Sequence, residues 1–209
     1  MRITAQAKQQ TRLKLLDIAH KLFISKGFEA TTTRDIANAA GIATGTLFNY
    51  FASKEALAMT LLAEALEQGR EAWDERRPQG SSLDETLFAL IAALLRSLAP
   101  HRTYVGDVMA TAMSPFTRAA VSHEGDAFRV EHLDIVHELL LDSRPELAAG
   151  PGPSFVSMHL YWTLFLGVLA FWSSDESPQQ QDSLAVLDHS LKLFATSLQG
   201  DGATDGLPS

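Results

Sequence analysis

Beyond Leu57, apolar residues keep recurring at spacings of three and four, and no stretch alternates in the manner of a half-buried strand. The pattern predicts an all-α chain of about nine helices. A fourth helix is expected from Lys54 to about Arg76, ended by Pro78-Gln79-Gly80-Ser81-Ser82. The fifth starts near Leu83, with Ser82 as cap and Glu85 as its capping-box partner, and stops before Pro100. The sixth covers Arg102 to Met113 and is broken by Ser114-Pro115. The seventh runs from about Phe116 to Ser143, with a kink or break near Gly125. Arg144-Pro145 and Gly150-Pro151-Gly152-Pro153 form a linker to the eighth, Ser154 to Ser173. The ninth spans Pro178 to Leu198, with Pro178 suited to a first turn.

The two last helices differ in pattern. Leu184, Leu187, Leu191, Phe194 and Leu198 make one narrow apolar stripe on the ninth. The eighth is apolar nearly all round and needs partners on more than one side. Its core, Phe155 to Trp172, is at the short limit for a membrane span. Ser157, His159 and Thr163 interrupt it and its flanks are not basic, so a packing helix is expected. Together the pair carries more apolar surface than one body covers, which points to an isologous dimer through the ninth-helix stripe.

The segment Thr32 to Phe51 has a different grammar. Thr32 stands three residues before Asp35, a capping box whose carboxylate also suits the positive end of a helix dipole. Ile36, Ala37 and Ala40 give one apolar edge, and Gly41 stands where a left-handed residue ends a helix. A second short helix starts at Ala43 or Thr44, with Leu47 facing inward. Ala43, Thr44, Gly45 and Thr46 form its first turn, small and uncharged, so that its backbone can come close to phosphates and base edges. Two short helices about a tight glycine turn are how a protein sets a helix into a DNA major groove. Ser53 is the expected cap of the next helix, and Lys54 lies on a first turn that favours phosphate.

Charge distribution points the same way. Residues 1–55 hold eight Lys/Arg (Arg2, Lys8, Arg12, Lys14, Lys21, Lys26, Arg34, Lys54) and four acids (Asp17, Glu29, Asp35, Glu55), a net +4. The whole chain is −8, so the remainder carries −12. A basic head supplies a salt-dependent phosphate attraction, and an acidic body resists wrapping DNA. Met1 to Gln10, polar and basic, is expected to be a disordered tail without DNA.

On these residues the block from Leu15 to Leu57 resembles the N-terminal domain of tetracycline-repressor-like (TetR) transcriptional regulators. Ala19 to Gly27, followed by Phe28, is similar to the family's first helix and its glycine stop. Thr32 to Phe51 resembles its helix-turn-helix, and Ser53-Lys54-Glu55-Ala56-Leu57 its fourth-helix start. The resemblance implies that Thr32, Thr33 and Arg34 touch backbone or groove edge. It implies that Thr44, Gly45, Thr46, Phe48 and Asn49 form the reading face and that Lys54 holds a phosphate. Phe48 stands where many members have Tyr, so a phosphate-bonding hydroxyl is missing. Phe48 and Tyr50 serve equally well as core aromatics. The resemblance also implies that the last two helices pair with their mates in a four-helix interface, and that a ligand in the body moves the fourth helix.

The expected organisation is a DNA-binding domain over 1–53, an effector-binding and dimerisation domain over 54–199, and a disordered tail over 200–209. The 209-residue chain is 46% apolar, ample for a core, and holds no cysteine, so a disulfide framework is excluded. No apolar signal segment opens it, which suggests the cytoplasm. Phe88, Met109, Met113, Phe116, Phe128, Trp162 and Phe165 are candidate linings for an apolar or aromatic effector, since Met and aromatic side chains adapt to varied ligands. The expected protein is a homodimeric repressor released from a palindromic operator by a small molecule. The alternative is a DNA-binding regulator whose body answers to a protein partner.

Enzyme and metal chemistry find little support. His123, His132 and His137, with Asp126, Glu131, Asp134 and Glu138, lack the i, i+4 chelating pair and read as a solvated acidic face. No G-x-S-x-G elbow, phosphate loop or nucleophile–base set appears, so no catalytic residue, cofactor or metal is assigned.

Overall fold

A computed structural model describes residues 4–77, 79–112, 123–144 and 152–198, and among them every regular element is helical. The helices are α1 (Ala5–Lys26), α2 (Thr33–Ala40), α3 (Thr44–Leu47), α4 (Lys54–Asp74), α5 (Leu83–Leu98), α6 (Arg102–Ala112), α7 (His123–Ser143), α8 (Phe155–Ser174) and α9 (Gln181–Ser197). Short 3-10 turns at Ala99–His101 and Pro178–Gln180 precede α6 and α9. The tail 200–209 and the expected breaker Ser114-Pro115 lie outside the described residues.

The chain divides into two compact units, Met1–Glu67 with Leu98–Phe128, and Gln68–Ser97 with Arg129–Ser209. The first unit therefore takes in α6 as well as α1 to α3, and α4 passes from one unit to the other after Glu67. The boundary expected at 53/54 follows the motif, whereas the compact units follow packing.

The first unit is built around Leu15, Leu16, Ala19 and Phe23 of α1. Against them lie Phe28, Ile36, Ala37, Leu47, Phe51 and Leu57, all buried, with the Phe23 and Phe28 rings edge to face at 5.1 Å. Contrary to the expected disordered tail, α1 begins at Ala5, where Thr4 caps it by accepting from the Ala7 N–H at 3.2 Å. Once Leu15 to Phe23 fix a helix against the core, each further turn costs little, so a polar composition does not unravel it. Met1 to Ile3 lie outside the described residues.

The second unit centres on α8. It is long and apolar enough to cross a membrane by length and composition, yet it buries Tyr161, Trp162, Phe165, Val168, Leu169 and Trp172. The turn into α9 is held by Asp175. Its carboxylate accepts from the Ser177 N–H at 2.8 Å, the Ser183 N–H at 2.9 Å and the Ser183 hydroxyl at 2.5 Å, hydrogen bonds that hold its pKa well below the usual carboxylate range. Pro178 opens a 3-10 turn rather than α9 itself. Gln179 and Gln180 sit at φ of 56° and 53°, left-handed positions that stop one helix run before Gln181 starts the next.

The ninth-helix stripe needs correction. Leu187, Leu191, Phe194 and Leu198 are buried inside the chain's own core, and Phe194 meets the Tyr161 ring at 5.7 Å. Only Leu184 of that set is exposed. A three-and-four stripe marks the face a helix packs with, and it is silent on whether the neighbour belongs to the same chain. The free apolar surface lies elsewhere, on Phe155, Val156, Leu160 and Phe171 of α8 and on Leu184, Val186 and Leu193 of α9.

Candidate functional site

The helix-turn-helix is assembled by short-range bonds. Thr32 Oγ1 accepts from the Asp35 N–H at 3.1 Å and Asp35 Oδ2 accepts from the Thr32 N–H at 2.9 Å, which completes the capping box. Lys26 Nζ donates to the same Oδ2 at 2.6 Å, and these bonds push the Asp35 carboxyl down to about 2. Gly41 takes φ 71° and its N–H reaches back to Ala37 and Asn38, ending α2. The buried Thr31 hydroxyl donates to the Gly27 carbonyl at 2.7 Å and closes the α1–α2 loop. Ser53 accepts from the Ala56 N–H at 3.1 Å, as expected of a cap.

Leu47 is completely buried and Phe51, one turn on, is buried beside it. At ~100° per residue this fixes the other side of the element outward. Gly45 and Asn49 point away from Leu47, with Phe48 and Thr46 on their flanks. The exposures agree. Gly45, Phe48 and Asn49 are exposed, Phe48 by 49%, while Thr44, Thr46 and Tyr50 are half-buried. Phe48 is thus a surface residue. On α2 and its cap, Thr32 and Arg34 are exposed and Thr33 is half-buried.

The cations behave less simply than their number implies. Lys14 Nζ donates to the Ala40 carbonyl at 2.8 Å, closing the end of α2. Arg12 pairs with Glu64 at 3.2 Å and lies 5.3 Å over the Phe51 ring. Lys21 pairs with Asp17 and Lys26 with Asp35, both at 2.6 Å. Lys54 donates to the Phe28 carbonyl at 2.8 Å and sits 4.3 Å over its ring. Lys54 is therefore a tie across the α1–α2 loop before any phosphate arrives. Arg34 and Lys8 are exposed cations of the described head that make no such tie.

A second polar cluster joins α1 to the α6 region. The Tyr104 hydroxyl, in a fully buried side chain, lies 2.9 Å from His20 Nδ1 and also hydrogen-bonds His101 Nδ1. Burial, and secondarily the neighbouring His20, pushes His101 down to about 4. Nothing local in the sequence ties His20 to this cluster, since it stands 84 residues from Tyr104.

In the second unit, His132 is buried, with Nε2 2.9 Å from the Tyr161 hydroxyl and its ring 4.7 Å from that of Phe165. Trp162 stacks on Phe165 at 5.5 Å, under the Arg129 guanidinium at 5.4 Å. The expectation of a solvated face holds for Asp126, Glu131, Asp134 and Glu138, which are exposed, and fails for His132. The missed signal is spacing. His132, Val136, Leu139 and Leu140 share one side of α7.

Desolvation lowers His132 from an ordinary 6.5 to about 3. The folded imidazole is neutral, whereas the unfolded chain takes up a proton near 6.5. Its contribution is fully present above 6.5 and is lost as pH falls toward about 3. Urea unfolding from pH 7.5 to 4.5 is expected to show stability falling by about 1.4 kcal/mol per pH unit from this group once below its unfolded pKa. In a His132→Gln variant that share of the slope disappears, and an unchanged slope would show that His132 is charged in the fold.

The candidate effector lining is not gathered as a set. Trp162 and Phe165 belong to the aromatic cluster of the second unit. Phe88 lines a surface groove of about 230 Å³ with Asp84, Glu85, Asp188 and Lys192. Met109 and Phe128, half-buried, belong to the first unit, and Met113 and Phe116 lie outside the described residues.

Comparison with known proteins matches both parts of the chain. Residues 15–60 match the family described as bacterial regulatory proteins, tetR family, and residues 86–205 match the tetracyclin repressor-like C-terminal domain. The HTH-type transcriptional repressor KstR2 of Rhodococcus jostii is 42% identical over 84 residues, 40% of this chain and 41% of the repressor. The chain thus spans about two fifths of the length of that curated relative. The FadR repressor of Thermus thermophilus, solved with lauroyl-CoA, superposes with a TM-score of 0.64 at 24% identity, covering 95% of this chain and 98% of that one. Bacillus subtilis FadR, solved with stearoyl-CoA, gives 0.60 at 18% identity over 88% and 97%. These relatives are transcriptional regulators and not enzymes. With the helix-turn-helix intact and both domain models matched, the chain belongs to the tetR family of bacterial regulatory proteins.

Proposed function

We propose that this chain is a homodimeric repressor that reads a palindromic operator and is released by a small-molecule effector with an apolar part, an acyl thioester of coenzyme A being the first choice. The observation that carries the reading is the outward side of α3, uncharged and presented on a head braced by its own lysines. DNA binding resides in residues 1–53, with Thr44, Gly45, Thr46, Phe48 and Asn49 facing the bases. Thr32, Thr33 and Arg34 lie against the strand at the groove edge, and Lys54 turns from the Phe28 carbonyl to a phosphate. Residues 54–199 dimerise and take the effector. One short helix reads few base pairs, so two copies related by a two-fold axis are needed for two half-sites.

The pairing surface of this proposal is the exposed apolar face of α8 and α9, with Val156, Leu160 and Phe171 at its centre. Small-molecule control is favoured over a protein partner because solved relatives carry lauroyl-CoA and stearoyl-CoA in their complexes.

Selection of bound duplexes from a random pool tests the first half. An enriched palindrome whose affinity falls as salt rises is the expected result, and the absence of any enriched sequence at low salt removes the DNA-reading function. Titration of the bound complex with lauroyl-CoA, with free coenzyme A as control, tests the second. Release by the thioester alone supports it, and no release by acyl-CoA of any chain length removes it.

A further inference from the structure

The reading face contains no cation and no carboxylate. From Ala43 to Phe51 the chain has neither Lys, Arg, Asp nor Glu. The commonest specific contact to guanine, a bidentate Arg or Lys on O6 and N7, therefore cannot come from α3. Its outward side offers the Asn49 amide, the Phe48 ring and the Thr46 hydroxyl and methyl. Asn49 is exposed, and a Cβ placed on Gly45, one turn earlier on the same side, would meet nothing within 4 Å. The space above the amide is therefore open to a base-pair edge. Phe48 is half exposed on the neighbouring side, held there by the buried Leu47 and Phe51.

Each exposed group has one good partner in the major groove. An amide matches adenine, donating to N7 and accepting from the N6 amino group, and an apolar ring matches the thymine methyl. We propose that Phe48 and Asn49 make α3 a reader of A·T pairs, the ring against a thymine methyl and the amide on an adenine edge of an adjacent pair. The inference rests on the DNA-reading function above and adds which bases are read and by which atoms. The missing hydroxyl of Phe48 is then a gain of apolar readout rather than only a lost phosphate contact.

The test uses the full-length chain and the duplex enriched by selection. Failure to enrich any sequence is failure of the DNA-reading function itself. Given an enriched duplex, each thymine is replaced in turn by deoxyuridine, which removes only the 5-methyl group. At one position per half-site, affinity is expected to fall about fourfold, the worth of one buried methyl, and about fifteenfold with both half-sites changed. A Phe48→Ala variant should bind the thymine and uracil duplexes equally. Replacing adenine by 7-deazaadenine should weaken the parent at the adjacent pair and leave Asn49→Ala indifferent. Both substitutions are at exposed sites, and circular dichroism confirms the fold. A half-site without A·T pairs under α3 overturns the proposal. So does a uracil scan with no sensitive position, or a Phe48→Ala variant that keeps the parent's sensitivity.

Discussion

Replacing Leu160 and Phe171 of α8 together by glutamate is expected to leave a folded monomer that binds the operator at least about a hundredfold more weakly than the parent. Both side chains are half exposed, 48% and 43%, so the change removes little of the chain's own core. In a two-fold interface each patch meets its own copy, so every added carboxylate faces another across a desolvated surface. Without the interface the second head no longer binds intramolecularly and its effective concentration is lost. Sedimentation measures the assembly state, and titration with full and half operators measures the affinity. The half-operator affinity is expected to stay at the parent's value. A variant that sediments as a dimer would place the interface on another face.

Gly69→Val in α4 is expected to cost about 3 kcal/mol of stability, the upper part of the range for overpacking a tight contact. A Cβ at Gly69 would stand 2.4 Å from Ser97 Oγ, 3.0 Å from the Leu94 Cα and 3.1 Å from the Ala93 carbonyl oxygen of α5. Ser97 can rotate away, giving up its hydrogen bond to the Leu94 carbonyl. The other two atoms are backbone and move only if the helices separate. The better helix propensity of a residue with a side chain, up to ~1 kcal/mol over Gly, offsets only part of this. Gly45→Ala is the matched control, because its new Cβ meets nothing. It should be as stable as the parent or more so, while losing operator affinity because the new methyl fills open space that a base-pair edge would occupy. Urea denaturation separates the two, and equal stability of Gly69→Val and the parent would mean that α4 and α5 are not in contact at Gly69.

Those two glycines show where sequence reading stops. Gly41 is legible because its role depends on residues within four positions of it, as do the Thr32–Asp35 box and the Ser53 cap. Gly69 is a plain mid-helix glycine until α5 is laid against it. The same holds for Lys14 and Lys54, each bonded to a carbonyl 26 residues away, and for His20, Tyr104 and His101. Counting charge treats such groups as free when they are already spent inside the fold. The stripe from Leu187 to Leu198 identifies a packed face correctly, but the identity of its neighbour is a fact about the whole chain. The outward side of α3 escapes this limit, since Leu47 and Phe51 fix its orientation from inside a single turn.

The braced lysines bear on how much of this regulator a cell needs. A genome offers on the order of 10⁶–10⁹ competing nonspecific sites, and affinity for them comes almost wholly from protein cations that neutralise phosphates and displace condensed counterions. A head that keeps Lys14 and Lys26 bonded to its own chain is expected to hold arbitrary DNA loosely. Few molecules are then sequestered away from the promoter, and a small copy number suffices to keep it occupied.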